Sequence, residues 1–330
     1  MTTSTAPQPF YFLERYQPHS FSDMIGNSDV VEKINQMAES RQVPHLLLSG
    51  PSGVGKSLSI HCLANALYGP DPKLHSEVML VLSSCDDRGI YAVRTRLRQF
   101  SQKKVSLAPD IPKLIILEEA DNLHQSSQQA LRKMLEDTKT RFVFICQNIS
   151  NIIEPLQSRC VLLHFHRIEE LDIYRYLDNI CDTEKITKTK SGLKTLANIS
   201  GGDLRIALNY LQSVNTCYGK ISTPNVYSLT GLPPTQSVRD IILTCFKGEI
   251  NKAYQSLLEI SHQGYSVFDI LAVFMSVCQK NEEMLFTNEE LRLTVLKTIS
   301  MTQLKVTDGA THLSIGSLLC RISTLYSEFV

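Results

Sequence analysis

Eight residues, GPSGVGKS at 50–57, have the composition of a loop that binds phosphate. Gly50, Gly53 and Gly55 allow a tight turn whose backbone N–H groups can point together at phosphate oxygens. Lys56 can reach the β- and γ-phosphates of a nucleotide, and the Ser57 hydroxyl can bind Mg²⁺. An ordinary glycine-rich turn is the alternative, but an apolar run precedes these residues and a helical pattern follows, as a nucleotide-binding loop requires. The sequence therefore predicts nucleotide binding by Gly50, Pro51, Ser52, Gly53, Val54, Gly55, Lys56 and Ser57.

A second group suited to chemistry is the acidic pair Glu118 and Glu119, which follows the apolar run 114–117. Ligands of open α/β folds bind at the carboxyl ends of the strands, so the pair is expected beside the phosphate loop. There Glu118 would hold Mg²⁺ through water, and Glu119 would polarise an attacking water molecule. Alone, the pair would be interpreted as a solvated cap of the next helix. Together with the phosphate loop it predicts nucleotide hydrolysis.

Alternating strands and helices must position these groups. Apolar runs predict five strands, and 3.6-residue periodicity predicts helices among them. This alternation is typical of a parallel sheet with helices on both faces. The predicted strands are 45–50, 78–82, 114–117, 141–147 and 160–165, and the predicted helices include 30–38, 57–69, 90–101 and 126–136.

After about residue 166 the strand pattern stops and helical periodicity continues. The clearest break is TGLPPTQS at 230–237, where a glycine and two prolines occur together. The predicted organisation is a flexible tail (1–9), an α/β nucleotide-binding domain (10–165), a small helical lid (166–230) and an all-helical C-terminal domain (231–330).

Bulk composition excludes several classes of protein. A hydrophobic content of 43% and a charged content of 20% are typical of a soluble globular protein. The nine cysteines are scattered without a C-x-x-C pair, which argues against a metal site or a disulfide framework and predicts reduced thiols inside a cell. Neither a signal peptide nor an apolar run of membrane-spanning length is present. The sequence predicts a soluble intracellular protein.

One local stretch is strongly basic although the net charge is zero. Six basic residues and no acid occur from residue 88 to residue 104. An apolar face formed by residues 90, 93, 97 and 100 leaves Arg94 and Arg98 one turn apart on another face of the helix. Such a stripe can contact nucleic-acid phosphates without reading bases, although a solvated helix face is the alternative. The residues expected to contact DNA are Arg88, Arg94, Arg98 and Lys103.

Four longer segments extend these motifs: LIILEEADNLHQSSQQALRKMLE (114–136), NIIEPLQSRC (151–160), CDDRGIYAVR (85–94) and GGDLRIALNYLQ (201–212). They resemble the small ATPase subunits of replication factor C, the AAA+ sliding-clamp loader, and most closely the second-subunit type. The resemblance covers about residues 10–235. It implies an AAA+ P-loop domain, a helical lid and a helical collar. It also implies ATP and Mg²⁺ as cofactors, and nuclear assembly into a hetero-pentamer that loads a ring-shaped clamp of the proliferating cell nuclear antigen type onto primer–template DNA.

The resemblance also implies roles for single residues. Arg159 would reach in trans into the ATP site of a neighbouring subunit, and Arg205 would sense the γ-phosphate from the lid. Tyr16 belongs to the adenine-side element. Gln147, followed by Asn148, stands at the position that reads the γ-phosphate and orients water.

Three positions depart from the family pattern. Glu118 stands where aspartate is usual, Gln147 where asparagine is usual, and Gln17 where arginine is usual. Glutamate and glutamine each add one methylene, and misplacement by an ångström can cost about 10²-fold in rate. A subunit that binds ATP without hydrolysing it, and supplies DNA contacts and Arg159, is therefore an alternative. A DNA-remodelling AAA+ motor is a third possibility, disfavoured by the collar-like domain after the lid.

Overall fold

A computed structural model describes residues 10–69, 71–83, 89–103, 111–137, 140–280, 286, 288–307 and 312–329. Arg88 lies outside the described residues, and so does the side chain of Arg94. The chain divides into two compact units, Met1–Thr223 and Pro224–Val330.

A five-stranded parallel sheet forms the centre of the first unit, as the alternating pattern predicts. Its strands are β1 (Leu46–Ser49), β2 (Met79–Ser83), β3 (Leu114–Glu118), β4 (Arg141–Cys146) and β5 (Val161–His164). Their order is β2-β3-β4-β1-β5, and every pair is parallel. The three inner strands are almost continuously apolar because helices cover both faces of the sheet.

Helices pack on both faces, as predicted. Leu46 and Leu48 of β1 join a core with Ile34 and Ile60 on one face, whereas Leu47 joins a separate core on the other. This division follows from the two-residue repeat of a strand. The helices before the lid are α1 (Phe12–Arg15), α2 (Ser28–Glu39), α3 (Lys56–Tyr68), α4 (Pro72–Val78), α5 (Gly89–Gln102), α6 (Gln125–Asp137) and α7 (Glu154–Gln157).

Three helices follow the sheet: α8 (Glu170–Thr183), α9 (Lys190–Ser200) and α10 (Leu204–Tyr218). The prediction that strands cease after residue 166 was wrong in one place. Thr187–Lys188 (β6) and Lys220–Ile221 (β7) form a small parallel sheet. Two-residue strands are too short to produce a recognisable alternation, so the sequence pattern could not indicate them.

The second unit is helical in its described residues, as the sequence predicts. Helix α11 (Thr223–Thr230) precedes α12 (Thr235–Phe246), α13 (Ile250–His262), α14 (Val267–Lys280), α15 (Glu289–Thr307) and α16 (His312–Phe329). Their buried apolar faces form one core that includes Ile242, Phe274 and Ile322. Within the described ranges, no helix is both long enough and apolar enough to cross a membrane.

Candidate nucleotide-binding site

One cavity of about 320 Å³ in the first unit brings together most of the residues that the sequence singles out. Four parts of the chain line it: the N-terminal segment, the phosphate loop, the carboxyl ends of β3 and β4, and the lid helices. Glu118, Glu119 and Gln147 lie along it with Arg205. Its lining also includes Leu13, Tyr16, Gln17, Pro18, Met24, Ile25, Ser52, Gly53, Val54, Gly55, Lys56, Ser57, Tyr176 and Leu208.

The phosphate loop has a backbone that requires glycine. Gly50 has φ +143°, and a Cβ atom there would lie 2.3 Å from the carbonyl oxygen of Phe165. Such an approach to backbone cannot be relieved by moving a side chain. Gly53 and Gly55 also have positive φ, at +67° and +96°. The loop therefore leads directly into the positive end of the 13-residue helix α3, where anions are stabilised.

Lys56 is buried at the start of that helix. Its Nζ donates hydrogen bonds to the carbonyl oxygens of Gly50, at 2.6 Å, and Pro51. Burial lowers the pKa of Lys56 below its usual value, while Cys146 and Asp121 are the main groups that oppose this shift. The ammonium group is thus held inside the loop, next to the cavity.

The two adjacent acids occupy different backbone settings. Glu118 ends strand β3, whereas Glu119 has φ +51° and precedes the 3-10 turn Ala120–Asn122. Asn122 donates a hydrogen bond from Nδ2 to Oε2 of Glu119 at 3.3 Å. The backbone therefore changes conformation between the two acids, and both line the cavity.

Asp121 joins the ends of two strands, a role that the sequence analysis missed. Its Oδ2 accepts hydrogen bonds from the backbone N–H groups of Gln147 and Asn148, at 3.1 and 3.2 Å. Gln147 lines the cavity, whereas Asn148 is not among its lining residues. The structure thus brings Gln147, and not Asn148, beside the phosphate loop.

Side chains from the N-terminal segment meet the lid around Tyr16, which lines the cavity. Oε1 of Glu184 accepts hydrogen bonds from the Tyr16 hydroxyl and from Nη1 of Arg15, both at 2.7 Å. The hydroxyl of Tyr176 donates to the Tyr16 carbonyl oxygen at 3.1 Å. Of these residues only Tyr16 was expected from the sequence, because Glu184 lies 168 residues away.

Charge and burial at this cluster shift two pKa values in opposite directions. Burial and the hydrogen bond to Glu184 raise the pKa of Tyr16 to about 12. The hydrogen bonds from Tyr16 and Arg15 lower the pKa of Glu184. Glu184 therefore holds the N-terminal segment against the lid as a carboxylate. Gln212 adds a second tie, since its side chain donates to the Phe10 carbonyl and accepts from the Phe12 N–H.

Arg205 is the second residue of lid helix α10, and its neighbour Asp203 caps the helix. Oδ1 of Asp203 accepts hydrogen bonds from the backbone N–H groups of Arg205 and Ile206, at 2.9 and 3.2 Å. This N-cap satisfies donors that have no partner within the helix. Arg205 itself is exposed and lines the cavity.

Arg159 lies outside the cavity of its own chain. It follows the short helix α7 and is exposed, with Nη1 donating to the carbonyl oxygen of Pro155 at 3.1 Å. The buried Gln128 of α6 supports the loop that precedes α7. Its Nε2 donates to the carbonyl oxygens of Leu123 and Asn151, and its Oε1 accepts from Ile153 N–H. The loop that presents Arg159 is thereby tied to the end of β3.

Two of the four expected DNA contacts can be located. Arg98 on α5 and Lys103, directly after it, are exposed, whereas Leu97 between the basic positions is fully buried. Arg96 is exposed as well. The helix therefore has an apolar inner face and a basic outer face in its described part.

Three family models match successive parts of the chain. The ATPase family associated with various cellular activities (AAA) matches residues 46–166, and the RCF1/5-like AAA+ ATPase lid domain matches 175–216. The replication factor C C-terminal domain matches 233–321. Solved structures show the same fold: the RuvB Holliday junction branch migration motor of Thermotoga maritima superposes with a TM-score of 0.53 at 18% identity, over 78% of this chain and 90% of RuvB.

Curated relatives match almost the whole chain. Replication factor C subunit 4 of Schizosaccharomyces pombe is 36% identical, covering 94% of this chain and 90% of the relative. Subunit 4 of Saccharomyces cerevisiae is 34% identical over 96% and 97%, and the replication factor C small subunit of Saccharolobus solfataricus is 31% identical over 99% and 98%. The chain therefore belongs to the replication factor C family of clamp-loader AAA+ ATPases.

Proposed function

We propose that this chain is an ATP-hydrolysing subunit of a nuclear hetero-pentamer that opens a ring-shaped clamp of the proliferating cell nuclear antigen type and places it on primer–template DNA. The observation that carries the proposal is that the phosphate loop, the acidic pair and Arg205 line the same cavity. Membership of the replication factor C family supports the proposed partners, which are the other subunits, the clamp and DNA.

The donor set of the cavity fits a nucleotide with Mg²⁺. The phosphate loop offers backbone N–H groups, Lys56 offers a buried ammonium group, and Ser57 and Glu118 offer hard oxygen ligands. When bound, Mg²⁺ supplies positive charge beside the phosphates. Tyr16 also lines the cavity and would contact the adenine base.

In the proposed mechanism Glu119 accepts a hydrogen bond from the attacking water and polarises it. Gln147 orients that water or the γ-phosphate from the end of β4. Arg205 contributes positive charge from the lid. The hydrogen bond from the Gln147 backbone N–H to Asp121 fixes the backbone that carries the Gln147 side-chain amide.

We further propose that Arg159 acts on the ATP site of the neighbouring subunit. Its exposed position outside its own cavity supports a role in trans. A guanidinium group supplied by a neighbour stabilises charge on the transferring phosphoryl group and couples hydrolysis to assembly. The proposed DNA contacts, Arg88, Arg94, Arg98 and Lys103, would track the phosphates of the duplex independently of base sequence.

Single-turnover hydrolysis by the reconstituted complex tests the assignment of Glu119. The other subunits should be inactivated at their equivalent acids, so that the signal comes from this site alone. Glu119→Gln is expected to lower the rate by at least about 100-fold, since a positioned general base contributes about 10²–10⁴-fold. Nucleotide affinity, measured in parallel, reports whether the site is still folded.

A non-hydrolysing scaffold subunit is the second candidate function. The longer side chains at Glu118 and Gln147 favour it, since both line the cavity where shorter residues are usual in the family. If the parent complex hydrolyses ATP no faster than Glu119→Gln while nucleotide still binds, the scaffold function is correct and the enzymatic role of this subunit is wrong.

A further inference from the structure

The N-terminus of the lid helix lies directly on the phosphate loop. Leu204 N–H donates a hydrogen bond to the carbonyl oxygen of Gly53 at 3.2 Å. The hydroxyl of Ser52 donates to Oδ2 of Asp203 at 3.0 Å. A Cβ atom on Gly53 would lie only 1.7 Å from Oδ1 of Asp203, so the carboxylate packs against the loop backbone. Ser52 and Asp203 are 151 residues apart in the chain, so they come into contact only in the folded structure.

Asp203 does more than cap a helix. Its Oδ1 accepts both hydrogen bonds from the helix N-terminus, from Arg205 and Ile206, whereas its Oδ2 accepts the bond from Ser52. A helix N-cap needs only one acceptor atom. The second oxygen therefore connects the first turn of the lid helix to the loop, and the backbone of Arg205 is attached to the same carboxylate.

We infer that Asp203 is a positioning residue that docks the lid helix on the phosphate loop through Ser52 and thereby sets Arg205 at the phosphate end of the cavity. The inference rests on the proposed role of Arg205 as the lid residue that senses the γ-phosphate. Positioning at this level matters because a shift of an ångström in a contacting group can change its effect by about 10²-fold.

The preference for ATP over ADP should therefore depend on the Ser52 hydroxyl group, although Ser52 is far from Arg205 in the sequence. Ser52→Ala removes the side-chain hydrogen bond between loop and lid but leaves in place both N-cap hydrogen bonds of Asp203 and the hydrogen bond from Leu204 N–H to Gly53. A general loss of lid structure would weaken the binding of both nucleotides alike, whereas misplacement of Arg205 would weaken only the binding of the triphosphate. The ratio of the two affinities separates these cases.

The test measures, on the full chain with Mg²⁺, the dissociation constants of ADP and of a non-hydrolysable ATP analogue, AMP-PNP, by calorimetry. Ser52→Ala should lower the ratio of the ADP constant to the AMP-PNP constant about threefold, the loss of one hydrogen bond. Ser52→Thr, which keeps the hydroxyl, should restore the ratio to within about twofold of the parent. Ser191→Ala, at an exposed lid serine bonded within its own segment, is the matched control and should leave the ratio unchanged.

The variant Arg205→Ala separates the two levels of the proposal. It should lower the ratio further, and Ser52→Ala should then have no additional effect. An unchanged ratio in Arg205→Ala would refute the sensor role of Arg205 in the proposed function. A lowered ratio in Arg205→Ala with no change in Ser52→Ala would refute the inference about Asp203 alone. An equal effect of Ser52→Ala with and without Arg205 would also overturn it, because the contact would then act through another group.

Discussion

The phosphate loop is built from one continuous segment, whereas the cluster of Tyr16, Arg15 and Glu184, at the proposed base end of the cavity, joins residues that lie far apart in the chain. At the phosphate end, glycine backbone and a helix N-terminus define the geometry within residues 50–57. At the base end, Tyr16 and Glu184 meet only when the lid is folded against the N-terminal segment. We therefore expect substitutions at the first end to affect folding or phosphate discrimination, and those at the second to affect all adenine nucleotides alike.

The largest expected effect is on stability at the phosphate end. Gly50→Ala would place Cβ 2.3 Å from the Phe165 carbonyl oxygen, a backbone atom that cannot move aside as the end of a flexible side chain could. We expect the free energy of unfolding to fall by about 3 kcal/mol. Urea unfolding of the full chain measures it.

Gly219→Ala is the matched control for Gly50→Ala, since Gly219 has the positive φ of the left-handed helical region but nothing within 4 Å of a Cβ atom. It should cost only about 1 kcal/mol, the conformational part alone. Equal losses in the two variants would mean that the close approach to Phe165 contributes nothing.

At the base end, Glu184→Gln should weaken the binding of ATP and ADP to the same extent. The change removes the charge that Arg15 and Tyr16 contact and loosens the segment that carries Tyr16. We expect both dissociation constants to rise about fivefold, which corresponds to about 1 kcal/mol. Glu39→Gln, on the exposed end of α2, is the control. A selective loss of ATP affinity would contradict the proposed division between the two ends.

The same cluster predicts a pH dependence of stability. Because Tyr16 and Arg15 lower the pKa of Glu184 below 4.5, the carboxylate stabilises the fold above that pH and loses its contribution as the pH falls through the folded-state pKa. The difference in unfolding free energy between the parent and Glu184→Gln, about 1 kcal/mol at pH 7, should persist to about pH 5 and shrink below it. A difference that grows in acid would mean that another group carries the effect.

The smallest effect is expected outside the cavity, at the basic face of α5. Arg98→Ala should reduce the slope of log DNA affinity against log salt by about 0.9, the value for one phosphate contact, whereas Arg98→Lys should retain it. Nucleotide affinity of the free chain serves as the internal reference, since Arg98 does not line the cavity. An unchanged slope in Arg98→Ala would identify the basic residues as an ordinary solvated face.

Local signals in the sequence predict the phosphate loop, the five strands of the main sheet and the acidic pair. Each depends on neighbouring residues: the spacing of glycines around Lys56, or an apolar run ending at Glu118. Contacts between distant segments leave no such signal. Glu184 and Asp203 look like ordinary helix-end residues until the fold brings them to Tyr16 and Ser52. Helix α4 was also missed, because its seven residues are too few to establish a period.

Glu119 occupies a left-handed backbone conformation, with φ +51° and ψ +43°, which residues other than glycine, asparagine and aspartate rarely adopt. A sequence optimised for folding alone would place glycine or asparagine there. Retention of glutamate at such a position exchanges about 1 kcal/mol of folding stability for a carboxylate at the edge of the sheet. Under the proposed role of Glu119, replacement by glycine or asparagine is therefore expected to raise thermal resistance and to lower ATP hydrolysis together.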